Sequence, residues 1–510
     1  MPHSSKRALI SVYDKQDIES AARILHDNGW EIISTGGTAD HLRAHQIPVT
    51  RVSDLTGFPH ILDGRVKTLH PLVFGPILAR RDIDHQRQLE EMNAPAIDLV
   101  IVNFYPFEAA LGDPELSEAE MVERIDIGGP SMVRAAAKNH SRVTIIVDPD
   151  DYLPVCRRLA ESGNLDPSER RDLARKAFAA TAHYDALIAN YFLSENSEVP
   201  DTMTITGRRH LDLRYGENPH QSAGLYLSSP HSPLKRMRQI QGRTLSFNNI
   251  LDASMVWDVL TRFSEDDPFC VVVKHQNPCG AAMRTTQAEA FSAALAGDPV
   301  SAFGGIVGFN AIVDVATAER LKPIFLEVIV APEFSAEARR ILAKKKKLRL
   351  LEMPLDYREP LDIRTVPGGF IWQDADHAVT AASAFENQSE RRPDARELRD
   401  AEIGWRLIKF VKSNGIIIVR DGTLVGVGAG QMSRVDSVRI ALEKCGDRAV
   451  GAVLLSDAYF PFPDSIELAA QTGVTVMVEP GGSIRDQEVI NAAQRLDVTL
   501  LFTGIRHFRH

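Results

Sequence analysis

The sequence predicts an α/β protein with two sheets, and three observations support this class. From Ala8 to Val147, short apolar runs alternate with segments whose apolar residues recur at helical spacing, a rhythm typical of a mostly parallel sheet. Beyond residue 205 more apolar runs follow, and Asp421-Gly422 separates two of them, as expected of a β-hairpin in a mixed sheet. Between the two regions, Ser194 to Thr204 has the Ser, Asn, Pro and Asp content of a linker.

The first region begins with a strand and a helix that the sequence marks well. Ala8 to Val12 is a short apolar run, and Lys15 to Asn28 carries apolar residues at helical spacing until Gly29 ends the pattern. The other elements predicted here are strands at Glu31 to Ser34, Leu99 to Asn103 and Val143 to Val147, and one long helix over residues 166 to 192. Strands and helices in this order imply right-handed crossovers between parallel strands.

The sequence predicts buried strands along most of the second region. They are Phe269 to Val273, Gly305 to Phe309, Val328 to Val330, Gly415 to Val419, Ala452 to Leu455, Val474 to Val478 and Val498 to Phe502. Two short stretches echo each other: Lys274 to Asn277 resembles Lys412 to Asn414, and Ser301 to Phe303 loosely resembles Ser456 to Tyr459. We therefore expect domains over residues 1–195 and 205–510, the second with related subdomains at about 205–370 and 371–510.

The composition is that of a globular protein, with 44% hydrophobic and 25% charged residues among 510. A net charge of −10 and a pI near 5.9 argue against a dedicated nucleic-acid binder, which would be basic. No stretch approaches the ~18 uninterrupted apolar residues of a membrane helix. We expect a soluble, cytoplasmic protein with neither nucleic acid nor membrane as partner.

The four cysteines are Cys156, Cys270, Cys279 and Cys445. Their spacing fits no zinc site, and their number fits no disulfide-rich secreted domain. We therefore expect reduced thiols, and we expect Cys279 to be a small apolar turn residue rather than a nucleophile.

An adjacent Lys274-His275 pair follows the apolar run Val271 to Val273, before a turn predicted at Asn277-Pro278. Such a strand delivers two titratable side chains to the carboxyl edge of a sheet, where open α/β sheets bind ligands. A Lys directly after a buried strand must find solvent, a carboxylate or an anionic ligand. The pair therefore predicts a chemical site.

A second cationic cluster predicts a second site in the first region. Thr35-Gly36-Gly37-Thr38 joins a strand to a helix, where free amides can hold a phosphate, although a plain βα turn explains it equally well. The charged and polar residues that follow are Arg65, Lys67, Thr68, His70, Tyr105, Asp126, Arg134 and Lys138. Lysines, a tyrosine and an aspartate around a phosphate pocket favour dehydration or ring closure over hydrolysis.

Three loops of the second region are candidate ligand loops. They are Arg214 to Gln221, Gly428 to Arg434 and Pro480 to Arg485. Arg suits bidentate recognition of phosphate, and Gly allows close approach of the backbone. Tyr459 to Phe462 predicts an aromatic wall, and the basic, aromatic end Thr503 to His510 predicts either a frayed terminus or a segment that enters a cleft.

Seven motifs occur in order: Gly64 to Pro71, Asn103 to Phe107, Ile125 to Pro130, Arg214 to Gln221, Val273 to Gly280, Gly430 to Arg434 and Arg506 to His510. Together they resemble the PurH family of bifunctional purine biosynthesis proteins. That family combines phosphoribosylaminoimidazolecarboxamide (AICAR) formyltransferase with IMP cyclohydrolase. The resemblance implies an N-terminal methylglyoxal-synthase-like parallel-sheet domain with the cyclohydrolase. It also implies a C-terminal transformylase of two cytidine-deaminase-like α/β subdomains without zinc ligands.

For the transformylase, the resemblance implies that His275 takes a proton from the 5-amino group of AICAR as this amine attacks the formyl carbon of 10-formyltetrahydrofolate. Lys274 would stabilise the developing charge or protonate the leaving folate nitrogen, and Asn414 would position the formyl group. The residues that would hold the nucleotide or the folate are Arg214, Tyr215, Phe303, Gly304, Tyr459, Asp464 and Arg506.

For the cyclohydrolase, the resemblance implies that the carboxamide nitrogen of the formylated product, FAICAR, attacks the formyl carbon and that loss of water gives IMP. The proton network would be Lys67, Tyr105, Asp126 and Lys138. The nucleotide pocket would be Ser11, Lys15, Thr35, Gly36, Gly37, Thr38, Arg65 and Thr68. The folate is a cosubstrate, no metal or redox cofactor is required, and a structural monovalent cation is left open. The family works as a homodimer with transformylase sites shared between subunits.

The chain departs from the family pattern in three places. Val73-Phe74-Gly75-Pro76 stands where Val-His-Gly-Gly is usual, Phe104 replaces a Leu, and Gly415 replaces a common Ala. Two alternatives therefore stay open: an N-terminal domain that is silent or acts as a methylglyoxal-synthase-like lyase, and a non-catalytic nucleotide sensor. The intact proton-transfer residues favour activity at both sites.

Overall fold

The computed structural model describes residues 6–59, 61–62, 65–111, 113, 115–193, 199–229 and 231–510. Gly64 and the first half of the predicted linker, Ser194 to Glu198, lie outside these residues. The chain divides into two compact units with the boundary between Arg208 and Arg209, apart from a brief return to the first unit at Ser228. Each unit is described by itself below.

The first unit is built on a five-stranded sheet with the order β3-β2-β1-β4-β5. Its strands are β1 (Arg7–Ser11), β2 (Glu31–Ser34), β3 (Thr50–Arg51), β4 (Leu99–Val102) and β5 (Thr144–Ile146). All four pairings are parallel, which confirms the predicted parallel sheet. The strand order reverses between β1 and β4, and such a reversal opens a crevice at the carboxyl ends of the strands.

The described residues of this unit form ten α-helices. They are α1 (Ile18–Asp27), α2 (Gly36–Ala44), α3 (Val52–Thr56), α4 (Pro71–Leu78), α5 (Ile83–Glu91), α6 (Phe107–Ala110), α7 (Glu118–Val122), α8 (Gly128–Lys138), α9 (Tyr152–Ser162) and α10 (Pro167–Tyr191). The long helix α10 confirms the prediction for residues 166 to 192. It begins with Pro167 behind a capping box of Asp166 and Glu169, so its first amides are satisfied.

The second unit is built on a twelve-stranded mixed sheet with the order β16-β21-β20-β19-β17-β18-β10-β9-β11-β12-β13-β8. Its strands are β8 (Arg238–Gln241), β9 (Phe269–Lys274), β10 (Asn277–Met283), β11 (Ile306–Phe309), β12 (Val328–Ala331), β13 (Arg349–Glu352), β16 (Glu386–Asn387), β17 (Ile416–Arg420), β18 (Thr423–Gly428), β19 (Val453–Ser456), β20 (Val476–Glu479) and β21 (Thr499–Phe502). Two further, two-stranded sheets pair β6 (Arg208–Leu213) with β7 (Ala223–Leu227), and β14 (Leu361–Val366) with β15 (Gly369–Asp374).

The helices of this unit cover the sheet. They are α11 (Pro233–Arg236), α12 (Phe247–Thr261), α13 (Gln287–Gly297), α14 (Val315–Leu321), α15 (Ala336–Leu342), α16 (Ala395–Ile408), α17 (Arg434–Cys445), α18 (Asp464–Gln471) and α19 (Asp486–Arg495). Apart from the edge strands β8 and β16, the sheet strands are mostly buried, and they are mainly apolar on both faces with little alternation in sequence.

The two halves of the large sheet repeat one arrangement. An antiparallel hairpin, β9–β10 or β17–β18, is followed by three mutually parallel strands, and β8 or β16 closes each edge antiparallel. The repeat agrees with two related subdomains, but the sequence echo that suggested it was wrong. Lys274 ends β9 whereas Lys412 precedes β17, and the true counterpart of the turn after Lys274 is Asp421-Gly422.

The turn after β9 differs from the prediction. His275 and Gln276 form it, with φ of 52° and 55°, and Asn277-Pro278 already belongs to β10. Cys279 therefore lies in a strand, at a register shift between Pro278 and Gly280, and not in a turn.

All four cysteines are free, as predicted. Burial raises the pKa of Cys156 and of Cys279 to about 12, which leaves these thiols protonated and unreactive. In the described part of the chain, no helix combines the length and the apolar character that a membrane crossing needs.

Candidate active sites

In the first unit, polar residues gather where β1, β2 and β4 end. Ser11 closes β1, and its hydroxyl lies 3.0 Å from that of Thr35, which follows β2. The hydroxyl of Thr38 accepts from the backbone N–H of Val12 at 3.1 Å and donates to its carbonyl oxygen at 2.9 Å. The space beside Gly36 and Gly37 is open, so a phosphate can approach the first amides of α2.

Asn103 connects the end of β4 to the loop after β1. Its amide oxygen accepts from the backbone N–H groups of Tyr13 and Asp14, at 2.6 and 3.2 Å. Its amide nitrogen donates to the carbonyl oxygen of Asp14 and to the hydroxyl of Tyr152. The ring of Tyr13 then stands 5.3 Å from that of Tyr105, whose side chain is 48% exposed and thus open to a ligand.

Asp126 lies just before α8 and close to three other predicted residues. Its Oδ1 accepts from the N–H of Gly129 at 2.9 Å. Burial raises the pKa of the Asp126 carboxyl, while the N–H groups of Gly129 and Tyr105 and the charge of Lys67 oppose the rise. A Cβ on Gly128 would lie 2.9 Å from the hydroxyl of Thr68. The structure therefore brings Lys67, Thr68, Tyr105 and Asp126 together.

Other residues predicted for the first site lie elsewhere or contact neighbouring residues of the loops and helices. Lys138 ends α8, so the length of that helix, roughly 15 Å, separates it from Asp126. Arg65 pairs with Glu123 on the surface, and Lys15 donates to the carbonyl oxygen of Tyr13 at 3.2 Å. His70 caps α4, because its Nδ1 accepts from the N–H of Leu72.

In the second unit, Lys274 and His275 lie at the turn between β9 and β10. Nζ of Lys274 donates to the carbonyl oxygen of Phe303 at 2.9 Å, and a Cβ on Gly304 would lie 3.2 Å from the same nitrogen. The predicted residues Phe303 and Gly304 are thus beside Lys274. His275 is exposed, and the turn is fixed by Asp252 of α12, which accepts from the N–H of Gln276 at 2.8 Å.

Hydrogen bonds of Asn277 link this turn to Lys412, two residues before Asn414. The amide of Asn277 donates to the carbonyl oxygen of His275 and accepts from the N–H of Lys412, at 3.1 Å each. The side chain of Asn414 donates to the carbonyl oxygens of Gln431 and Met432 and accepts from Arg434.

The C-terminal segment runs beside the residues that precede Asn414. Ser413 donates its N–H to the carbonyl oxygen of Arg509 at 2.8 Å, and its hydroxyl accepts from the N–H of Arg509 at 3.1 Å. Asp457 is fully buried, accepts from Ser413 and Gly415, and accepts from the N–H of His507 through its carbonyl oxygen. The segment from Thr503 is therefore held in place and is not a frayed terminus.

Comparison with known proteins places this chain in a family. Residues 136–444 match the family model described as "AICARFT/IMPCHase bienzyme", and residues 17–131 match an "MGS-like domain". The chain belongs to the AICARFT/IMPCHase bienzyme family. Three relatives named bifunctional purine biosynthesis protein PurH cover 99% of this chain and 100% of their own. They come from Desulfitobacterium hafniense (49% identical), Halalkalibacterium halodurans (47%) and Bacillus cereus (45%).

Membership of the bienzyme family confirms the predicted class and both predicted activities. The chain is a formyltransferase and an IMP cyclohydrolase, and it performs the last two steps of IMP synthesis. A formyltetrahydrofolate is the cosubstrate that the first activity requires. The MGS-like match also agrees with the parallel sheet of the first unit.

Two of the three departures from the bienzyme pattern lie in α4 and beside Tyr105. Phe74 packs against the core of the first unit, and Pro76 is buried inside α4, where its carbonyl oxygen accepts from buried Arg142. These two residues are part of a packed helix and not of a flexible loop. Phe104 packs against the ring of Tyr184, 5.0 Å away.

The remaining predicted ligand residues of the bienzyme lie on loops of the second unit, except for Asp464. The guanidinium of Arg214 stands 5.5 Å from the ring of Tyr215, and that of Arg506 stands 4.4 Å from Phe508. Asp464 begins α18, and Tyr459 is 41% exposed. Within the described residues, no hydrogen bond joins the Arg214 loop to the Lys274-His275 turn.

One part of the predicted aromatic wall is wrong. Phe460 is fully buried in the core, so only Tyr459 and Phe462 are available on the surface. Arg485, the last residue of the predicted ligand loop Pro480 to Arg485, has its guanidinium 4.7 Å from the ring of Phe462. Sequence reasoning gave no role to Asp252 or Asp457, because each of them binds a residue distant in sequence.

Proposed function

We propose that each unit of the bienzyme carries one of the two activities. The gathering of Lys67, Thr68, Tyr105 and Asp126 at the carboxyl edge of the parallel sheet supports ring closure in the first unit. The hydrogen bonds that link the Lys274-His275 turn through Asn277 to Lys412 support formyl transfer in the second. The domain limits of residues 1–195 and 205–510 are part of this proposal.

Ring closure forms a bond between the carboxamide nitrogen and the formyl carbon of FAICAR. The formyl oxygen leaves as water, which takes one hydrogen from the carboxamide nitrogen and one from the formamide nitrogen. In our proposal Asp126 accepts the proton of the attacking nitrogen, since its raised pKa suits a proton acceptor better than that of an ordinary aspartate. Lys67 stabilises the charge on the oxygen, and Tyr105 supplies a proton to it.

Formyl transfer forms a bond between the 5-amino nitrogen of AICAR and the formyl carbon, and it breaks the bond between that carbon and the folate nitrogen. The amine is a weak nucleophile because its lone pair is delocalised into the ring and the carboxamide. His275 removes its proton, and Lys274 stabilises the oxyanion or protonates the leaving nitrogen. The hydrogen bond from Lys274 to Phe303 supports a fixed position for the ammonium group.

The side chain of Asn414 is a positioning group in this proposal. Both hydrogens of its amide meet carbonyl oxygens, and its oxygen meets Arg434. Asn414 therefore shapes the loop beside the reacting carbon, and a direct bond to the formyl group would need a change of partners. Arg214, Tyr215 and Arg506 would hold the nucleotide, and Tyr459 and Asp464 would hold the folate.

Four features of the proposal come from the family resemblance. They are the 10-formyl isomer of the folate, a homodimer with shared transformylase sites, a structural monovalent cation and a cytoplasmic location. Sedimentation analysis tests the homodimer. Activity assays in potassium, sodium and tetramethylammonium salts test the cation. The activity should be highest with one of the three ions.

The decisive experiment is product analysis by mass spectrometry after mixing the protein with AICAR and 10-formyltetrahydrofolate. IMP formed faster than FAICAR closes by itself would support both halves of the proposal. FAICAR that accumulates without enzymatic closure would show that the first unit is silent. No reaction at all would favour the alternative of a non-catalytic nucleotide sensor.

A further inference from the structure

Tyr184, on α10, contacts both loops that carry the proposed cyclohydrolase groups. Its hydroxyl accepts from the backbone N–H of Asp126 at 2.9 Å and donates to the carbonyl oxygen of Arg124 at 3.3 Å. Its ring lies 5.0 Å from that of Phe104, the residue before Tyr105. The side chain is only 6% exposed, so this geometry is packed into the unit.

The hydroxyl of Tyr184 is a donor and an acceptor at once, which requires that it stay protonated. Burial raises the pKa of Tyr184 to about 12, so the group is neutral at ordinary pH. The residue belongs to an apolar cluster with Phe107, Met121 and Leu187. Without the hydroxyl, the N–H of Asp126 would lose its partner there.

The position of Asp126 leaves little room for a shift of its loop. Its Oδ1 accepts from the N–H of Gly129, and its Oδ2 would lie 2.5 Å from a Cβ at that glycine. Its carboxyl also lies close enough to Lys67 and to the N–H of Tyr105 for both to lower its pKa. A displacement of about 1 Å at a reacting group can cost roughly 100-fold in rate.

We infer that Tyr184 is a positioning residue for ring closure, which holds the Asp126 loop through its hydroxyl and the Tyr105 loop through its ring. The inference rests on the proposed roles of Asp126 and Tyr105. It adds α10 to the site, although none of the seven motifs includes this helix.

The test is Tyr184→Phe, which keeps the ring and removes the hydroxyl. We expect kcat for closure of supplied FAICAR to fall roughly tenfold with little change in KM, and the acid limb of its pH profile to move. Formyl transfer by the same preparation stays unchanged. The matched control is Tyr191→Phe on the same helix, where the ring packs against Phe107 and closure should keep its rate.

Asp126→Asn distinguishes a failure of the inference about Tyr184 from a failure of the proposed role of Asp126. If Asp126→Asn is inactive in closure while Tyr184→Phe keeps the wild-type rate and pH profile, the inference about Tyr184 is wrong. If Asp126→Asn closes FAICAR normally, the proposed role of Asp126 is wrong instead. Amide hydrogen exchange of the wild-type segment 123–129 needs no variant: the Asp126 N–H must be protected, and fast exchange there would overturn the inference even if Tyr184→Phe did not fold.

Discussion

The guanidinium of Arg434 donates to the amide oxygen of Asn414 at 2.7 Å. Its other nitrogen donates to Asp457 at 2.5 Å and to the hydroxyl of Ser456 at 2.7 Å. Arg434 thereby decides which way the amide of Asn414 faces, because the oxygen of that amide must point at the cation. The ion pair of Arg434 with Asp457 is almost entirely buried, so solvent screens it weakly.

Arg434→Lys should impair formyl transfer and leave ring closure intact. A lysine carries one point charge and cannot bridge Asn414 and Asp457 together. We expect kcat for FAICAR formation to fall roughly 10- to 100-fold. Arg439→Lys, on the exposed side of the same helix, is the control and should keep the wild-type rate. If Arg434→Lys keeps the wild-type kcat, the amide of Asn414 does not need the arginine to fix its orientation.

Single substitutions at His275 and Lys67, one in each proposed site, should separate the activities. His275→Ala should lower formyl transfer by about 100-fold or more, because it removes general-base assistance to a weak nucleophile, and it should leave closure of supplied FAICAR unchanged. Lys67→Ala should do the reverse. Steady-state rates of both reactions on each variant check this, and each activity is the folding control for the other. Loss of both activities in one variant would contradict the assignment of one site to each unit.

The sequence predicted the strands well because their signal is local. An apolar run between turn residues is visible without knowledge of its neighbours, and the limits of Glu31–Ser34 agree with the structure at both ends. The turn at His275-Gln276 was missed for a physical reason. Asn-Pro favours turns, but Pro278 lies in β10 next to a register shift, where a missing N–H is tolerated.

The groups that hold the sites could not be predicted, because their partners are distant in sequence. Asp252 fixes the turn that carries His275, and Tyr184 fixes Asp126, yet neither has a pattern around it. The sequence also grouped Lys138 with Asp126 through the family resemblance. Only the course of α8 shows that the two lie at opposite ends of one helix.

The pH profile of ring closure should report the carboxyl of Asp126. Burial raises its pKa above the ordinary value of 3.8, so the carboxylate that accepts the proton is lost at a higher pH than for an exposed aspartate. Closure should therefore decline on the acid side through that raised pKa. Asp126→Asn should lower the rate at least 100-fold. The exposed Asp172→Asn should change nothing, and an acid limb that persists in the residual activity of Asp126→Asn would mean that another group titrates.

Glu479 should make the stability of the second unit depend on pH. Its side chain is fully buried at the end of β20, where Oε2 accepts from the N–H of Phe460, and Oε1 has no hydrogen-bond partner among the described residues. Burial raises its pKa to about 8 from 4.5; the charge of Asp486 adds to the rise and that of Arg434 opposes it. Between these two values the folded protein holds a proton that the unfolded chain has released. Stability therefore falls as pH rises through this window, by up to about 1.4 kcal/mol per pH unit, and levels off above it.

Glu479→Gln tests this dependence, because glutamine has the same shape and does not titrate. Near pH 4.5 the variant and the wild type should have similar melting temperatures, since Glu479 is then largely protonated in the folded protein. The variant should become the more stable of the two as pH rises, with the largest difference above about pH 8. Glu467→Gln removes a surface carboxylate that pairs with Arg495, and its difference from the wild type should stay small across the window. If the melting temperatures of Glu479→Gln and the wild type change in parallel from pH 5 to pH 9, Glu479 is ionised in the folded protein, with a cation or water at Oε1.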